Sequence, residues 1–319
     1  MAKTRVDETR DGVDLTNLDQ PLFERAGATK REHIDYLDGI ADRIVPVLRD
    51  RPLSVIRTTR GQAPFMQKNL PDYTPEWVQR VSVWADASHR DVSYALCNDR
   101  RTLLWFGNQR AVEFHPALAF ADRLDHITHL VLDLDPPEDD FTAAVAAARL
   151  VHNVLDTIGL RGAVKTSGAK GLHVFVPITP TTSAHDAAAA TRAIAERAAQ
   201  LDPSIATTAF IKEDRGGKVF VDATRTGGAT VVAAYSPRAR PDVPVSFPVG
   251  WDDLDAISPR DFTIATAVDQ LAGRDAWAES MPPDQDLPPD LLAEGHEIPI
   301  PRVAAMHEGK RRKAQERKR

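Results

Sequence analysis

Apolar residues recur along this chain with two different periods, and each period predicts a different element. From Thr29 onward the apolar positions fall three or four residues apart, which predicts an amphipathic helix. These positions are Ile34, Leu37, Ile40, Ile44 and Leu48. Short segments rich in β-branched residues predict strands at 53–57, 81–84 and 92–96. The N-terminal part is therefore an α+β module, and we expect the polar residues 1–20 to form a loose arm.

After Asp125 the pattern alternates between strand and helix periods. The predicted elements are a strand at 127–135, a helix at 141–158 closed by Gly159, strands at about 162–166 and 171–178, an Ala-rich helix at about 186–200, and strands at 205–211, 218–223 and 229–234. This order predicts a β-α-β-β-α-β unit, a split ferredoxin-like sheet with helices on one face. The other face would stay free for a substrate.

The fold class is thus α+β, and the chain divides into three predicted parts. Residues 1–120 form the N-terminal module, and 121–301 form a sheet domain that ends in an extended wrapping segment at 281–301, where Pro, Asp and Leu are frequent. Residues 302–319 carry eight Lys/Arg against two Glu, so they are expected to be a basic, disordered tail. The tail would bind DNA or only aid solubility.

Composition excludes several classes of protein. With 42% hydrophobic residues among 319, the chain has enough apolar material for a proper core. Its start is charged, and no apolar run approaches the ~20 residues of a membrane helix, which favours a cytoplasmic protein. Cys97 is the only cysteine, and no Cys/His cluster has the spacing of a zinc site. Any catalytic metal would therefore be bound by oxygen atoms and would not be zinc.

Two carboxylates end the strand predicted at 127–135. A strand's period of two turns Leu130, Leu132 and Leu134 to one face, and Asp133 and Asp135 to the other. The two aspartates are then ~7 Å apart at Cα, close enough to share one or two hard cations. An isolated Asp-x-Asp is more often a solvated strand end. Haloacid-dehalogenase-type phosphatases also have Asp-x-Asp after an apolar run, but the prolines that follow here do not fit them.

A glycine-bearing turn and a third carboxylate extend this pattern. In the segment 165–178, Gly168 and Gly171 would let backbone N–H groups approach an anion, with Ser167, Lys170 and His173 adding polar contacts. Such a turn can hold a triphosphate, although it is as often an ordinary hairpin. Asp222 is placed at the end of the predicted strand 218–223 by the same alternation. Three carboxylates with a Ser/Lys/His/Arg group suit two-metal phosphoryl transfer.

The motifs as a set resemble the archaeo-eukaryotic primase superfamily, and within it the polymerase domains of bacterial ligase D. They are Leu15-Thr-Asn17, Thr29-Lys30, Arg51-Pro52, Arg57, Gln67-Lys68, Val112-Glu-Phe-His-Pro116, Asp133-Leu-Asp-Pro136, Thr166-Ser-Gly-x-Lys-Gly-x-His173, Phe220-Val-Asp222, Ala234-Tyr-Ser-x-Arg238, Pro244-Val-Ser246 and Trp251-Asp252. The resemblance covers most of the chain. It implies a primase-polymerase fold, with a ferredoxin/RRM-like palm sheet merged with the N-terminal module.

The resemblance also implies roles for individual residues. Asp133, Asp135 and Asp222 would bind two divalent ions, Mn²⁺ or Mg²⁺, and Asp222 would help the primer 3′-hydroxyl to attack. The residues that would bind the nucleotide are His115, Ser167, Lys170, His173, Arg215 and Arg238, with His115 near the sugar in a family that favours ribonucleotides. The residues that would contact DNA are Lys30, Arg57, Phe65, Met66 and Lys68. Without the resemblance, His115 would be interpreted as a core histidine and the basic residues as solvated.

The chain departs from the family at two positions. Gln20 stands where the family commonly has a lysine for a DNA 5′-phosphate, and Met66 stands in a commonly aromatic pair, which weakens base stacking. The polymerase unit and its tail use up the 319 residues, so we expect a stand-alone relative, cytoplasmic and nucleoid-associated. The resemblance implies that it acts on gapped or broken duplex DNA with NTP or dNTP. It would work beside a separate ligase and a DNA-end-binding protein, in end joining or in excision-repair gap filling. A non-catalytic DNA-end-binding protein is the alternative from another class.

Overall fold

The structure is a computed structural model that describes residues 5–59, 61–85, 89–138, 140–228 and 230–300. The chain forms two compact units. Unit 1 is drawn from Met1–Leu124, Lys165–Ala169 and Thr230–Ser280, and unit 2 from Asp125–Val164, Lys170–Ala229 and Met281–Arg319. Residues 230–280, predicted to belong with the sheet domain, thus lie in unit 1. The predicted tail at 302–319 lies outside the described residues.

The elements follow the chain in a regular order. The strands are β1 (Val6–Arg10), β2 (Val13–Thr16), β3 (Leu53–Arg57), β4 (Phe65–Gln67), β5 (Arg80–Ala85), β6 (Arg90–Ala95), β7 (Ala111–Pro116), β8 (His129–Asp135), β9 (Ala163–Thr166), β10 (Leu172–Pro177), β11 (Ala206–Thr207), β12 (Val219–Asp222) and β13 (Pro248–Val249). The helices are α1 (Lys30–Leu48), α2 (Arg100–Asn108), α3 (Phe141–Thr157), α4 (Ala184–Leu201), α5 (Ala267–Gln270), α6 (Ala276–Ser280) and α7 (Pro289–Glu297).

Helix α1 of unit 1 begins where the sequence predicts it. Thr29 caps the helix, because its side chain accepts the N–H of Glu32 while the Glu32 carboxylate accepts the N–H of Thr29. All five predicted apolar positions are fully buried. Beneath them α2 packs closely on α1, since a Cβ added at Gly107 would lie 2.7 Å from the Leu37 side chain.

An antiparallel sheet forms the second layer of unit 1. Strand β3 pairs with β4 and β7, and its first residue pairs with β6, which pairs with β5. The three strands predicted here are confirmed, whereas the loose arm predicted at 1–20 is wrong. Strands β1 and β2 form a hairpin over that segment, and Leu15 and Leu18 are fully buried. Two buried leucines among polar neighbours give too short a signal for a periodicity test.

Unit 2 has the predicted ferredoxin-like arrangement. Its strands lie in the order β12, β8, β10, β9, with the short β11 outside β12. Strand β8 is central and antiparallel to both neighbours. Helices α3 and α4 pack on the face that carries Leu130, Leu132 and Leu134, all fully buried. Alanines on the buried side of α4 allow this close approach. The opposite face of β8 carries the carboxylates.

Two further predictions for this half of the chain are wrong. The segment predicted as a strand at 229–234 has no strand among its described residues, 230–234. The segment 281–301, predicted as extended throughout, contains α7. Proline occupies the first position of α7, where it needs no N–H partner, so Pro289 starts this helix. Gly295 of α7 lies so close to α4 that a Cβ there would be 2.1 Å from the Ala189 carbonyl oxygen.

Candidate active site

The paired carboxylates lie at the end of β8 in unit 2, on the face away from α3 and α4. Asp133 is 8% exposed, and Asp135 is half-buried. The rigid antiparallel pairing on both sides of β8 fixes where these side chains point. Because both sit on one strand face, two acidic groups are held together in a partly desolvated setting.

Strand pairing brings a third carboxylate and a histidine beside Asp133. Asp222 of β12 and His173 of β10 are its direct cross-strand partners, so the three side chains form a row on one face. His173 Nε2 lies 3.3 Å from Asp133 Oδ1. The structure therefore brings Asp222 and His173, which are distant in the sequence, next to the pair Asp133 and Asp135. We call Asp133, Asp135 and Asp222 the carboxylate row.

Arg225 is part of this cluster and was missed by the sequence analysis. Its guanidinium lies 3.0 Å from Asp133 Oδ2 and 3.4 Å from Asp222 Oδ2. The turn after β12 positions it: Asp222 Oδ1 accepts the N–H of Thr224, and the Thr226 hydroxyl accepts the N–H of Val131. Arginine three residues beyond a strand-end aspartate is the only sequence signal that could have indicated it.

The surroundings of the two aspartates of β8 shift their pKa values in opposite directions. Burial opposes ionisation of Asp133, but His173 and Arg225 outweigh burial and hold its pKa well below the ordinary value. Burial, followed by the nearby charge of Asp133, raises the pKa of Asp135. Asp133 is therefore a carboxylate throughout the neutral range, and an added cation would favour the ionised form of Asp135.

The part of the predicted phosphate turn that belongs to unit 2 leads into β10. Lys170 Nζ donates to the Pro136 carbonyl oxygen at 2.8 Å, just beyond the end of β8. Gly171 packs against the backbone of β8, where a Cβ would lie 2.0 Å from the Leu134 oxygen. This glycine is needed for close strand approach, and the lysine places positive charge beside Asp135, whose pKa it lowers in part.

Arg215 also belongs to unit 2 and lies next to the carboxylate row. Its guanidinium stacks over the Phe220 ring at 3.9 Å, and Phe220 is the cross-strand partner of Asp135. Its Nε and Nη2 donate to the carbonyl oxygens of Ala209 and Phe210. Of the predicted nucleotide-binding residues, Lys170, His173 and Arg215 thus fall in the unit that carries the three aspartates.

The other predicted nucleotide-binding residues form a second cluster, in unit 1. His115 Nε2 lies 2.9 Å from Glu113 Oε2, and Arg238 Nε lies 3.0 Å from the same oxygen. Arg238 also donates to the Ser167 carbonyl oxygen. Burial opposes ionisation of Glu113, but His115 and Arg238 lower its pKa to about 2. Glu113, which lies in the motif at 112–116 but was assigned no role from the sequence, orients both the histidine and the arginine.

Burial also sets the protonation of His115. Burial lowers its pKa, although the adjacent Glu113 carboxylate acts in the opposite direction. The ring is 8% exposed and is held on β7. It is thus a neutral, fixed imidazole at neutral pH, available as a hydrogen-bonding group rather than as a cation.

The residues predicted to contact DNA all lie in unit 1, but their surroundings differ. Phe65 and Met66 of β4 are 40% and 43% exposed, and Lys68 just after them is exposed. Arg57 is held by the Gln109 carbonyl oxygen at 2.8 Å and the Gln67 side chain at 2.7 Å. An exposed, basic and partly aromatic strip therefore runs along β4.

Lys30 is 2% exposed, so the structure places it in the interior of unit 1 rather than on this strip. Its ammonium donates to the Thr16 carbonyl oxygen and to Asn108 Oδ1, both at 2.6 Å. These contacts tie the β1–β2 hairpin to α2. Burial, followed by the charge of Arg110, lowers the pKa of Lys30 to about 8.

Replacing Lys30 by methionine should lower the stability of the protein by about 1–3 kcal/mol at high pH, because two buried acceptors lose their donor. The difference should depend on pH. With a folded pKa near 8 and an ordinary value of 10.5, the unfolded chain binds more protons between these limits. Linkage then makes the wild type more stable, relative to Lys30→Met, as pH rises from 8 to 10. Urea unfolding of both proteins at pH 7, 8, 9 and 10 measures this; a flat difference would contradict it.

A cavity of about 900 Å³ opens in unit 1 beside Gln20, where the family commonly has a lysine. Thr58, Gln62 and Arg110 are among the residues that line it. Arg110 Nη2 donates to Gln20 Oε1 at 3.0 Å, and Arg110 Nη1 donates to the Leu22 carbonyl oxygen. Arg110 thus places a positive charge beside Gln20, the position at which the family commonly has a lysine.

The donors of the carboxylate row fit hard divalent cations. Asp133, Asp135 and Asp222 offer oxygen atoms from two adjacent strands, the donor type that Mg²⁺ and Mn²⁺ prefer. Positive groups already contact two of them, so a bound cation would compete with Arg225.

Among the described residues, no helix is both long and apolar enough to cross a membrane.

Comparisons with known proteins identify the family of this chain. Residues 29–277 match the family model described as "LigD, primase-polymerase domain". The non-homologous end joining protein LigD of Bacillus subtilis is 34% identical over 266 residues, which are 81% of this chain and 42% of that protein. The LigD of Mycolicibacterium smegmatis is 32% identical over 88% of this chain and 37% of its own length. The chain thus spans about two fifths of these relatives.

A solved structure extends the comparison to three dimensions. The polymerase domain of Mycobacterium tuberculosis ligase D, in complex with DNA, superposes with a TM-score of 0.74 at 30% sequence identity. The match covers 90% of this chain and 99% of that domain. The fold, the family match and the relatives all lead to one conclusion. The chain belongs to the LigD primase-polymerase domain family, a family of DNA-directed nucleotidyltransferases.

Proposed function

We propose that this protein is a template-directed DNA/RNA polymerase that extends primer 3′ ends at short gaps or breaks. One observation carries the proposal: Asp133 and Asp222 are cross-strand partners, and Asp135 lies two residues from Asp133 on the same face. Three carboxylates so arranged are suited to two-metal phosphoryl transfer. The haloacid-dehalogenase alternative explains neither Asp222 nor the prolines at 136 and 137.

The three aspartates would hold two divalent ions, Mn²⁺ or Mg²⁺. Bound there, the ions would favour attack by the primer hydroxyl and offset the charge that develops on the phosphate. Asp222 would orient the 3′-hydroxyl, because its Oδ1 is fixed by the Thr224 N–H while Oδ2 stays directed to the row. His173 would hold Asp133 in one orientation, since its imidazole contacts Oδ1.

The residues that would bind the triphosphate are those that the family resemblance implies. They are Ser167, Lys170, His173, Arg215 and Arg238. His115 would contact the sugar. As a neutral ring oriented by Glu113, it would form a hydrogen bond with a 2′-hydroxyl, either as acceptor or as donor. A preference for ribonucleotides follows from that contact.

Unit 1 would bind the DNA. Phe65 would stack on a base, Met66 would add only a weaker apolar contact, and Arg57 and Lys68 would neutralise phosphates. Lys30 would act indirectly, by fixing the hairpin β1–β2. The relatives' names support a role in non-homologous end joining. A DNA ligase and a DNA-end-binding protein would be its partners there, and gap filling in excision repair uses the same substrate geometry.

Primer extension on gapped, nicked and overhanging duplexes tests the proposal. Each substrate is compared with and without a downstream 5′-phosphate, with Mg²⁺ or Mn²⁺, and with ribo- or deoxyribonucleotides. We expect templated extension with either ion and faster incorporation of ribonucleotides. DNA binding without any extension would favour the non-catalytic end-binding protein, and phosphate release from small esters without a template would favour a phosphatase.

Replacing Arg225 by glutamine should raise the affinity of the protein for Mn²⁺ by about tenfold, because one cation that contacts Asp133 and Asp222 is removed. Arg225→Lys keeps the charge and should change the affinity less. The exposed Arg161→Gln removes the same charge from another part of unit 2 and is the matched control. Free Mn²⁺ is measured by electron paramagnetic resonance, without DNA or nucleotide. Equal or weaker binding by Arg225→Gln would contradict a competition between the guanidinium and the metal.

A further inference from the structure

A second group of metal-ligand side chains lies in unit 2, on residues that the polymerase site does not use. His185 and Asp186 are in the first turn of α4, and His296 is in the last turn of α7. One donor atom from each side chain lies within 4.8 Å of the other two. Since 110 residues separate Asp186 from His296, only the tertiary structure brings this group together.

The geometry within the group is specific. The two imidazole rings stack with their centroids 4.6 Å apart and their planes 27° from parallel. His296 Nε2 lies 2.9 Å from Asp186 Oδ1, and the second carboxylate oxygen accepts a hydrogen bond from the Ser183 hydroxyl at 2.8 Å. Ser183 thus holds one carboxylate oxygen and leaves Oδ1 in contact with His296.

The backbone that carries these side chains is held in place by other contacts. Arg197 forms an ion pair with Glu294, and Arg192 Nη2 donates to the Gly295 carbonyl oxygen at 3.0 Å. Gly295 itself touches the backbone of α4. Helix α7 is therefore docked on α4 before any ion binds, and bringing the ligands together carries little additional entropic cost.

The chemistry of the donors selects the kind of ion. Two imidazole nitrogens and one carboxylate oxygen suit Zn²⁺, Co²⁺ or Ni²⁺, with water completing the coordination, whereas Mg²⁺ prefers oxygen alone. The C-terminal end of α7 favours a cation at His296, and Asp186 offsets the opposite field at the start of α4.

We propose that His185, Asp186 and His296 bind one transition-metal ion of the Zn²⁺ class, which clamps α7 onto the first turn of α4. The ion replaces the proton shared by His296 Nε2 and Asp186 Oδ1, and it draws His185 into the same coordination sphere. Because the exposed side chains can adjust by rotation while the helices stay docked, the donor atoms can reach the ~2.0–2.2 Å bonds of zinc. The site is structural and is separate from the carboxylate row that the polymerase reaction uses.

Calorimetry and thermal unfolding of the untagged full-length chain test this proposal. Zn²⁺ is titrated in excess Mg²⁺, with the wild type and with Asp133→Asn, which weakens Zn²⁺ binding at the carboxylate row. We expect Asp133→Asn to keep one Zn²⁺ site and to gain thermal stability on binding. His185→Ala and His296→Ala, made in the same background, should bind Zn²⁺ at least about tenfold more weakly and lose the gain.

The matched control is His152→Ala on α3. His152 Nδ1 lies 3.9 Å from Asp156, so this variant removes a surface histidine from a His/Asp pair in the same unit, and it should leave Zn²⁺ binding unchanged. Absence of Zn²⁺ binding, or binding that His185→Ala and His296→Ala both leave intact, would overturn the proposal. In those cases the His296–Asp186 contact serves only to dock α7. Both outcomes leave the polymerase proposal untouched, since primer extension does not enter the measurement.

Discussion

Replacing Asp133 by asparagine should lower primer extension by at least about 10³-fold while DNA binding stays within a few-fold of the wild type. Asp133 is the centre of the carboxylate row: Asp222 and His173 are its cross-strand partners, and Arg225 contacts its Oδ2. The amide has the same shape but no charge for a metal ion. Single-turnover extension and DNA titration by fluorescence anisotropy measure the two quantities separately.

Asp125→Asn is the matched control for this variant. It makes the same chemical change at a side chain of unit 2 that is 84% exposed, and it should leave extension unchanged. The pKa of Asp133 is held low in the folded protein, so the ionised group stabilises the fold at neutral pH, and Asp133→Asn should also unfold at a lower temperature. Extension is therefore assayed well below that temperature. Extension within tenfold of the wild type would refute the two-metal assignment.

Replacing Gly171 by alanine should destabilise the protein by about 3 kcal/mol, because the new methyl group has no room. Its Cβ would lie 2.0 Å from the Leu134 carbonyl oxygen and 3.2 Å from the Pro136 ring. Leu134 stands between Asp133 and Asp135, so relief of the overlap must move β10 away from the carboxylate strand. We therefore expect a large loss of primer extension together with the loss of stability.

Gly39→Ala tests whether the effect is specific to this contact. In α1 the added Cβ would meet only the Val268 side chain at 3.7 Å, an ordinary contact, and alanine favours a helix over glycine by about 1 kcal/mol. That variant should be as stable as the wild type or slightly more stable. Urea unfolding at pH 7 gives both free energies. A stability of Gly171→Ala within about 0.5 kcal/mol of the wild type would contradict the packing argument.

Several elements of the fold could be predicted from local sequence because their signals are local. The period of α1 and its Thr29/Glu32 cap lie within one segment, as does the alternation that turns Asp133 and Asp135 to one face. The β-α-β-β-α-β order of unit 2 follows from successive changes of period. The hairpin β1–β2 and helix α7 were missed because their apolar positions are too few, or too near proline, to show a period.

The candidate site divides in the same way. Motifs at the strand ends indicate Asp133, Asp135, Asp222 and His173, and strand pairing brings them into one cluster. The catalytic, nucleotide and DNA roles assigned through the family resemblance stay predictions. The surroundings of two of these residues could not be predicted from a motif. Lys30 is enclosed by the hairpin and α2, and His115 is oriented by Glu113.

The sequence by itself determined the class of fold and the carboxylate strand, because each depends on residues a few positions apart whose spacing repeats a backbone period. It also indicated the family, through the resemblance of motifs distributed along most of the chain. Only the tertiary structure decided that Arg225 contacts Asp133 and Asp222, and that His296 of α7 meets His185 and Asp186 of α4. The contact of Arg225 with Asp133 joins residues 92 positions apart, and that of His296 with Asp186 joins residues 110 positions apart. Chain packing sets such distances, and no local pattern of hydrophobic and polar residues encodes them.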